Sequence, residues 1–73
     1  MKKIVISTFF DTCYIGENRI NMRFNFVEGV KTCTASCPEG KIYLEYDETI
    51  VTKKQLMAIV EDMDFKITKV KEL

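Results

Sequence analysis

Histidine is absent from this 73-residue chain, and its 11 basic side chains are balanced by 11 acidic ones. Without histidine there is no obvious general base, and neither a glycine-rich phosphate loop nor an arrangement that would activate a nucleophile is present. The chain is expected not to be an enzyme. The charge balance leaves no broad basic field to hold a nucleic acid or an anionic membrane, so partners must be recognised locally. Long apolar runs are missing too. Lys2 and Lys3 lead into only the short stretch Ile4 to Ile6, which is neither a membrane span nor a signal peptide. A cytoplasmic location, with no direct membrane contact by this segment, is the expectation. Cysteine is sparse: Cys13, Cys33 and Cys37 are odd in number and irregularly spaced. That does not read as a secreted disulfide framework, and reduced thiols are expected.

What is there is a regular alternation of strand and helix signals, without linker, repeat or low-complexity stretch. Residues 1–73 are long enough for one small domain only. Ile4, Ile6 and Thr8 share one side of a first strand, and Asp11 and Thr12 carry side-chain oxygens suited to capping a helix that starts near residue 13. Ile20, Phe24 and Val27 recur at spacings of four and three and form the core face of that helix, which Glu28 and Gly29 bring to a stop. Cys33, Ala35 and Cys37 alternate with Thr34 and Ser36 in a second strand. Pro38, Glu39 and Gly40 turn it into a third strand carrying Ile42, Leu44 and Tyr46. Thr52 caps a second helix with the apolar stripe Leu56, Ile59, Val60 and Met63, and Phe65, Ile67 and Val70 make a last strand. The order βαββαβ predicts an α+β, ferredoxin-like sandwich: a four-stranded antiparallel sheet with both helices on one face.

The loop after the first strand gives this pattern a family likeness. Phe10, Asp11, Thr12, Cys13, Tyr14, Ile15 and Gly16 stand where heavy-metal-associated domains carry Gly-Met-Thr-Cys-x-x-Cys, and Thr12 and Cys13 match. Onward without insertion, Ile20, Phe24, Val27, Gly29 and Val30 fall on that family's helix-one positions, and Gly40, Lys41, Tyr46 and Asp47 on its third-strand signature. Ala58 to Phe65 is similar to its Ala-Ile-Glu-Asp-Met-Gly-Phe segment, with Asp64 in place of the glycine. The chain thus resembles, over nearly its whole length, the heavy-metal-associated domains of copper chaperones and copper-transporting P-type ATPases. Phe65, where ATPase domains often carry an aromatic, and the lack of a lysine near that end favour the ATPase type.

The resemblance implies a soft-metal site, Cu(I) in type, with Cys13 as ligand and Asp11, Thr12 and Phe65 around it. Gly16, where the second cysteine belongs, offers no ligand. A two-coordinate soft ion needs two thiolates, so the second is expected from a symmetry mate or from a metal-transport partner, at one ion per two chains. Glycine in an early helical turn costs about 0.5 to 1 kcal/mol against alanine, so helix stability does not explain Gly16. Cys33 and Cys37 cannot pair with each other: four residues along a strand span about 13 Å, beyond the roughly 7 Å limit for a disulfide. Both fall where the family has core aliphatics, and buried, inert thiols are expected. Asp11 and Glu17 are alternative hard ligands for a divalent ion with Cys13, or else capping and solvated groups. Cys13 itself is alternatively only a small residue at a loop–helix junction.

Met22 and Phe26 lie one turn apart on the side of helix one opposite Ile20 and Phe24, with Arg19 beside them. An exposed methionine and aromatic next to an arginine resemble a contact patch for a partner or a second copy; otherwise Phe26 tucks against an edge. Two functions follow: a soft-metal binding or transfer domain, or a metal-free relative that keeps the fold as an interaction or regulatory module.

Overall fold

Alternating apolar side chains form strands where one face is buried, and a period near 3.6 forms a helix. The computed structural model, which describes residues 1–10 and 13–73, realises both in the expected order. The elements are β1 (Lys2–Thr8), α1 (Cys13–Asn25), β2 (Val30–Ser36), β3 (Lys41–Tyr46), α2 (Lys53–Asp62) and β4 (Ile67–Glu72). The four strands make one antiparallel sheet in the order β2-β3-β1-β4, so β2 and β4 are its edges.

Ile4 and Ile6 of β1 lie opposite Leu44 and Ile42 of β3, and Ala35 of β2 lies opposite Ile42. These residues share one buried cluster with Ile20 and Phe24 of α1 and Leu56 and Val60 of α2. Both helices therefore cover the same face of the sheet. Burying a large aliphatic or aromatic side chain is worth about 1.5 to 3 kcal/mol, and this cluster is the chain's main source of stability.

The helix ends follow local chemistry. Thr52 closes a capping box: its hydroxyl accepts the Gln55 N–H at 3.2 Å, and the Gln55 side-chain oxygen accepts the Thr52 N–H at 2.9 Å. This satisfies two backbone donors that a helix start leaves unpaired. α1 stops at Asn25, earlier than the Glu28–Gly29 pair suggests, and leaves Val27 half-buried in the turn that follows. Gly29 is required there. Its φ is +95°, and a Cβ on it would lie 2.9 Å from side-chain carbons of both Ile50 and Val51. β4 begins at Ile67 rather than Phe65, which is buried in the connection from α2. The proposed helix cap by Asp11 and Thr12 lies outside the described residues.

Candidate functional site

β1 leads through Phe9 and Phe10 towards Cys13, the first residue of α1, whose side chain is exposed. At the same end of the sheet, the turn Cys37–Gly40 joins β2 to β3. The Gly40 N–H donates to the Cys37 carbonyl at 3.0 Å, and Gly40 has φ +66°. The turn is tied to the exit of β1: the Thr8 N–H donates to the Gly40 carbonyl at 2.9 Å, and a Cβ on Gly40 would sit 3.1 Å from that Thr8 carbonyl oxygen. This register brings Cys37 to Cys13. Their Cα atoms are 5.2 Å apart, and the two sulfurs are joined in a disulfide across 24 residues.

A polar ridge on α1 holds this edge. Cys13, Glu17 and Asn21 follow at intervals of four and so share one side of the helix. Glu17 Oε2 accepts the Cys37 N–H at 2.6 Å. Asn21 Oδ1 accepts the Ala35 N–H at 3.2 Å and the Cys33 thiol at 3.7 Å. Because β2 is an edge strand, the outward Ala35 N–H has no neighbouring strand; Asn21 of α1 supplies its acceptor, as Glu17 does for Cys37 in the turn.

Three expectations change here. Cys37 is not an inert core thiol: the alternation of β2 ends at Ser36, and Cys37 is the half-buried first residue of the turn, bonded to Cys13. The thiols are not all free, since only Cys33 is unpaired. Glu17 is neither a solvated group nor a helix cap, because its carboxylate binds the Cys37 backbone. The exclusion of a Cys33–Cys37 pair stands. Cys33 is half-buried, and burial pushes its thiol up to about 12, which keeps it protonated and unreactive. Among the described residues no group of three or more histidine, cysteine, aspartate or glutamate side chains gathers as a metal cage; Asp11 and Thr12 lie outside those residues.

Gly16 also gains a physical reason. It is buried, and a Cβ on it would lie 2.8 Å from Phe10 Cδ1 and 3.6 Å from both Phe10 Cε1 and Phe65 Cε1. The Phe10 and Phe65 rings meet edge to face, with centroids 5.5 Å apart and planes at 67°, a favoured aromatic geometry. The Arg19 guanidinium stands 5.7 Å from the Phe65 centroid and donates to the Met63 carbonyl at 3.4 Å. Phe65 thus packs beside Gly16 and Phe10 at the start of α1 while belonging to the core.

Met22 is 64% exposed and Phe26 84%, so Phe26 does not tuck against an edge. With Arg19, Arg23 and Met63 they line a shallow open groove.

No protein-family model matches this sequence, and no curated protein matches it. The fold does have close counterparts among solved structures. The yeast copper transporter domain Ccc2a, studied in apo and Cu(I)-loaded states, superposes with a TM-score of 0.88 at 23% identity, covering 100% of both chains. The N-terminal domain of a potential copper-translocating P-type ATPase from Bacillus subtilis, in its Cu(I)-loaded state, gives 0.82 at 24% identity, over 99% of this chain and 90% of that one. A chain of the Atx1-Cu(I)-Ccc2a complex gives 0.78 at 25% identity, over 100% and 96%. The chain has the ferredoxin-like fold of the heavy-metal-associated domains of copper ATPases and chaperones.

Proposed function

We propose that this chain is a soft-metal binding or transfer domain that carries Cu(I) or a similar ion as cargo, with Cys13 as a sulfur donor and a metal-transport protein as its exchange partner. The observation that carries this reading is the meeting of two sulfurs, those of Cys13 and Cys37, at the start of α1. The fold is shared with a yeast copper transporter domain and with a Cu(I)-loaded ATPase domain. Thiolates select Cu(I) over harder ions, and a helix N-terminus favours the charged sulfur. The domain works in the cytoplasm without catalysing a reaction, as a free carrier or as the soluble domain of a transporting ATPase. Among the described residues no helix is long and apolar enough to cross a membrane.

Competition for Cu(I) between the reduced protein and a chromophoric Cu(I) chelator tests this. The protein should withdraw the ion, and Cys13→Ser should abolish the withdrawal. A second reading, a metal-free interaction module, is favoured by the exposure of Met22 and Phe26 beside Arg19. It takes over if the reduced protein cannot withdraw Cu(I) even from a weak chelator.

A further inference from the structure

We infer that the second ligand is Cys37 of the same chain, so that one reduced chain holds one soft ion between Cys13 and Cys37, and the disulfide is the closed form of that site. The inference rests on the soft-metal reading above and names its missing ligand.

The first argument is distance. Residues i and i+3 of an α-helix, the spacing of a Cys-x-x-Cys pair, have Cα atoms about 5 Å apart, as a 1.5 Å rise and a 2.3 Å radius require. The Cys13 and Cys37 Cα atoms are 5.2 Å apart. A turn from a different strand therefore presents a sulfur across the same span that position 16 would have provided. The second argument is exclusion of the alternatives. At Gly16 the space for a side chain is filled by Phe10. Cys33 is committed to Asn21 and stays protonated. The third is preorganisation by contacts that do not involve sulfur. Glu17 grips the Cys37 N–H, and the Thr8 N–H grips the same turn at Gly40, so the turn stays in place when the sulfurs part. An intrachain pair removes the need for a symmetry mate, and one ion per chain replaces one ion per two.

The two forms exclude each other, because a sulfur engaged in a disulfide has no thiolate to offer. Opening the site takes a dithiol reductant. Its thiolate attacks one sulfur, the Cys13–Cys37 bond breaks, and two electrons pass to the pair as the reductant closes to its own disulfide. The two resulting thiols then lose one proton each as Cu(I) binds between the sulfurs. Metal loading is thereby gated by the thiol redox state.

The test uses the whole chain, reduced with dithiothreitol, desalted without oxygen, and titrated with Cu(I) against a chromophoric chelator, with stoichiometry read by native mass spectrometry. One ion per monomer is expected. Cys37→Ser should weaken binding by more than about 100-fold, above the scale for losing only an outer-shell partner, while Cys33→Ser should bind as the parent does. Chain oxidised with diamide should take up no Cu(I) until dithiothreitol is added. In the unsubstituted protein, Cu(I) should protect Cys13 and Cys37 together from iodoacetamide, a readout that does not depend on a variant folding. Protection of Cys13 alone, or one ion per two chains with Cys37→Ser unimpaired, overturns this inference and leaves the soft-metal reading standing. Failure of the reduced parent to bind at all overturns both.

Discussion

The Phe10 ring fills the space into which a side chain at Gly16 would project, with 2.8 Å between Phe10 Cδ1 and the position of a Cβ there. In the family that the chain resembles, a glycine stands at the first of these positions and a cysteine at the second. The exchange of sizes is reciprocal: a large ring enters at 10 and the side chain at 16 is reduced to hydrogen.

Gly16→Cys should therefore destabilise the chain rather than simply complete a cysteine pair. Overpacking costs about 1 to 3 kcal/mol, and Phe10 lies partly buried against Phe65, so it cannot swing away without losing that contact. The double variant Phe10→Ala, Gly16→Cys should be less destabilised than the sum of the single ones by about 1 to 2 kcal/mol. Urea midpoints of the four forms give the coupling; strict additivity would show that the two positions do not compete for space.

Asp64 offers a test of backbone strain. Its φ of +68° puts it in the left-handed region, at the position where the family that the chain resembles carries glycine. Left-handed backbone costs an L-residue roughly 1 to 2 kcal/mol, less for aspartate, whose short polar side chain is among the better tolerated there. Glycine's extra unfolded-state freedom offsets part of the relief. Asp64→Gly should thus stabilise modestly, by about 0.5 kcal/mol, and Asp64→Val should destabilise by more than about 1 kcal/mol. A lower urea midpoint for the glycine variant would mean that the Asp64 side chain contributes more than its strained backbone costs.

Much of the fold was legible because one-dimensional patterns match three-dimensional faces. Ile4, Ile6 and Thr8 alternate and are buried together, and Thr52 caps α2 as expected, with Gln55 completing a capping box that the structure adds. The Cys13–Cys37 pair was not legible, for a physical reason. Alternation through Cys33, Ala35 and Cys37 assumes that β2 continues to Cys37, whereas the Gly40 turn takes over one residue earlier. A strand residue there would be packed under α1 like Cys33 and Ala35, whereas the turn places Cys37 beside the first residue of α1. A signal did exist in Glu17 and Asn21, four and eight residues after Cys13 on the same side of α1. Polar residues on a ridge that meets an edge strand are acceptors for its free N–H groups. The edge-to-face contact of Phe65 with Phe10 needed the fold, because the two are far apart in the chain.

Cys33 carries a pH prediction. Burial raises its thiol from the ordinary 9.0 to about 12. In that window the unfolded chain has lost a proton that the folded chain keeps, so this group's contribution to stability falls as pH rises from about 9 towards 12. Cys33→Val removes the contribution and should flatten the alkaline decline. Tyr43 and Tyr46, also shifted upward, act equally in both chains and cancel in the comparison. Urea midpoints of the two reduced proteins at about pH 8 and about pH 11 provide the test; parallel declines would show that the folded thiol ionises with the unfolded one.

Phe26 separates a surface role from a core one. It is 84% exposed, one turn after Met22, and shares an open groove with Arg19, Arg23 and Met63, whereas Phe24, two residues earlier, is fully buried. Truncating a buried phenylalanine costs about 3 to 5 kcal/mol, a large share of the stability of a 73-residue chain. An exposed one should cost within about 0.5 kcal/mol. Phe24→Ala should therefore unfold the chain or nearly so, and Phe26→Ala should leave the urea midpoint almost where it was. If the groove receives a partner or a second copy, Phe26→Ala should weaken that association by about 1 to 3 kcal/mol, as expected for an aromatic anchor. Sedimentation of both forms over a range of concentrations, and titration against a candidate metal-transport partner, measure the loss. A large midpoint shift with unchanged association would move Phe26 from the interaction surface into the core and leave the sulfur pair as the sole functional lead.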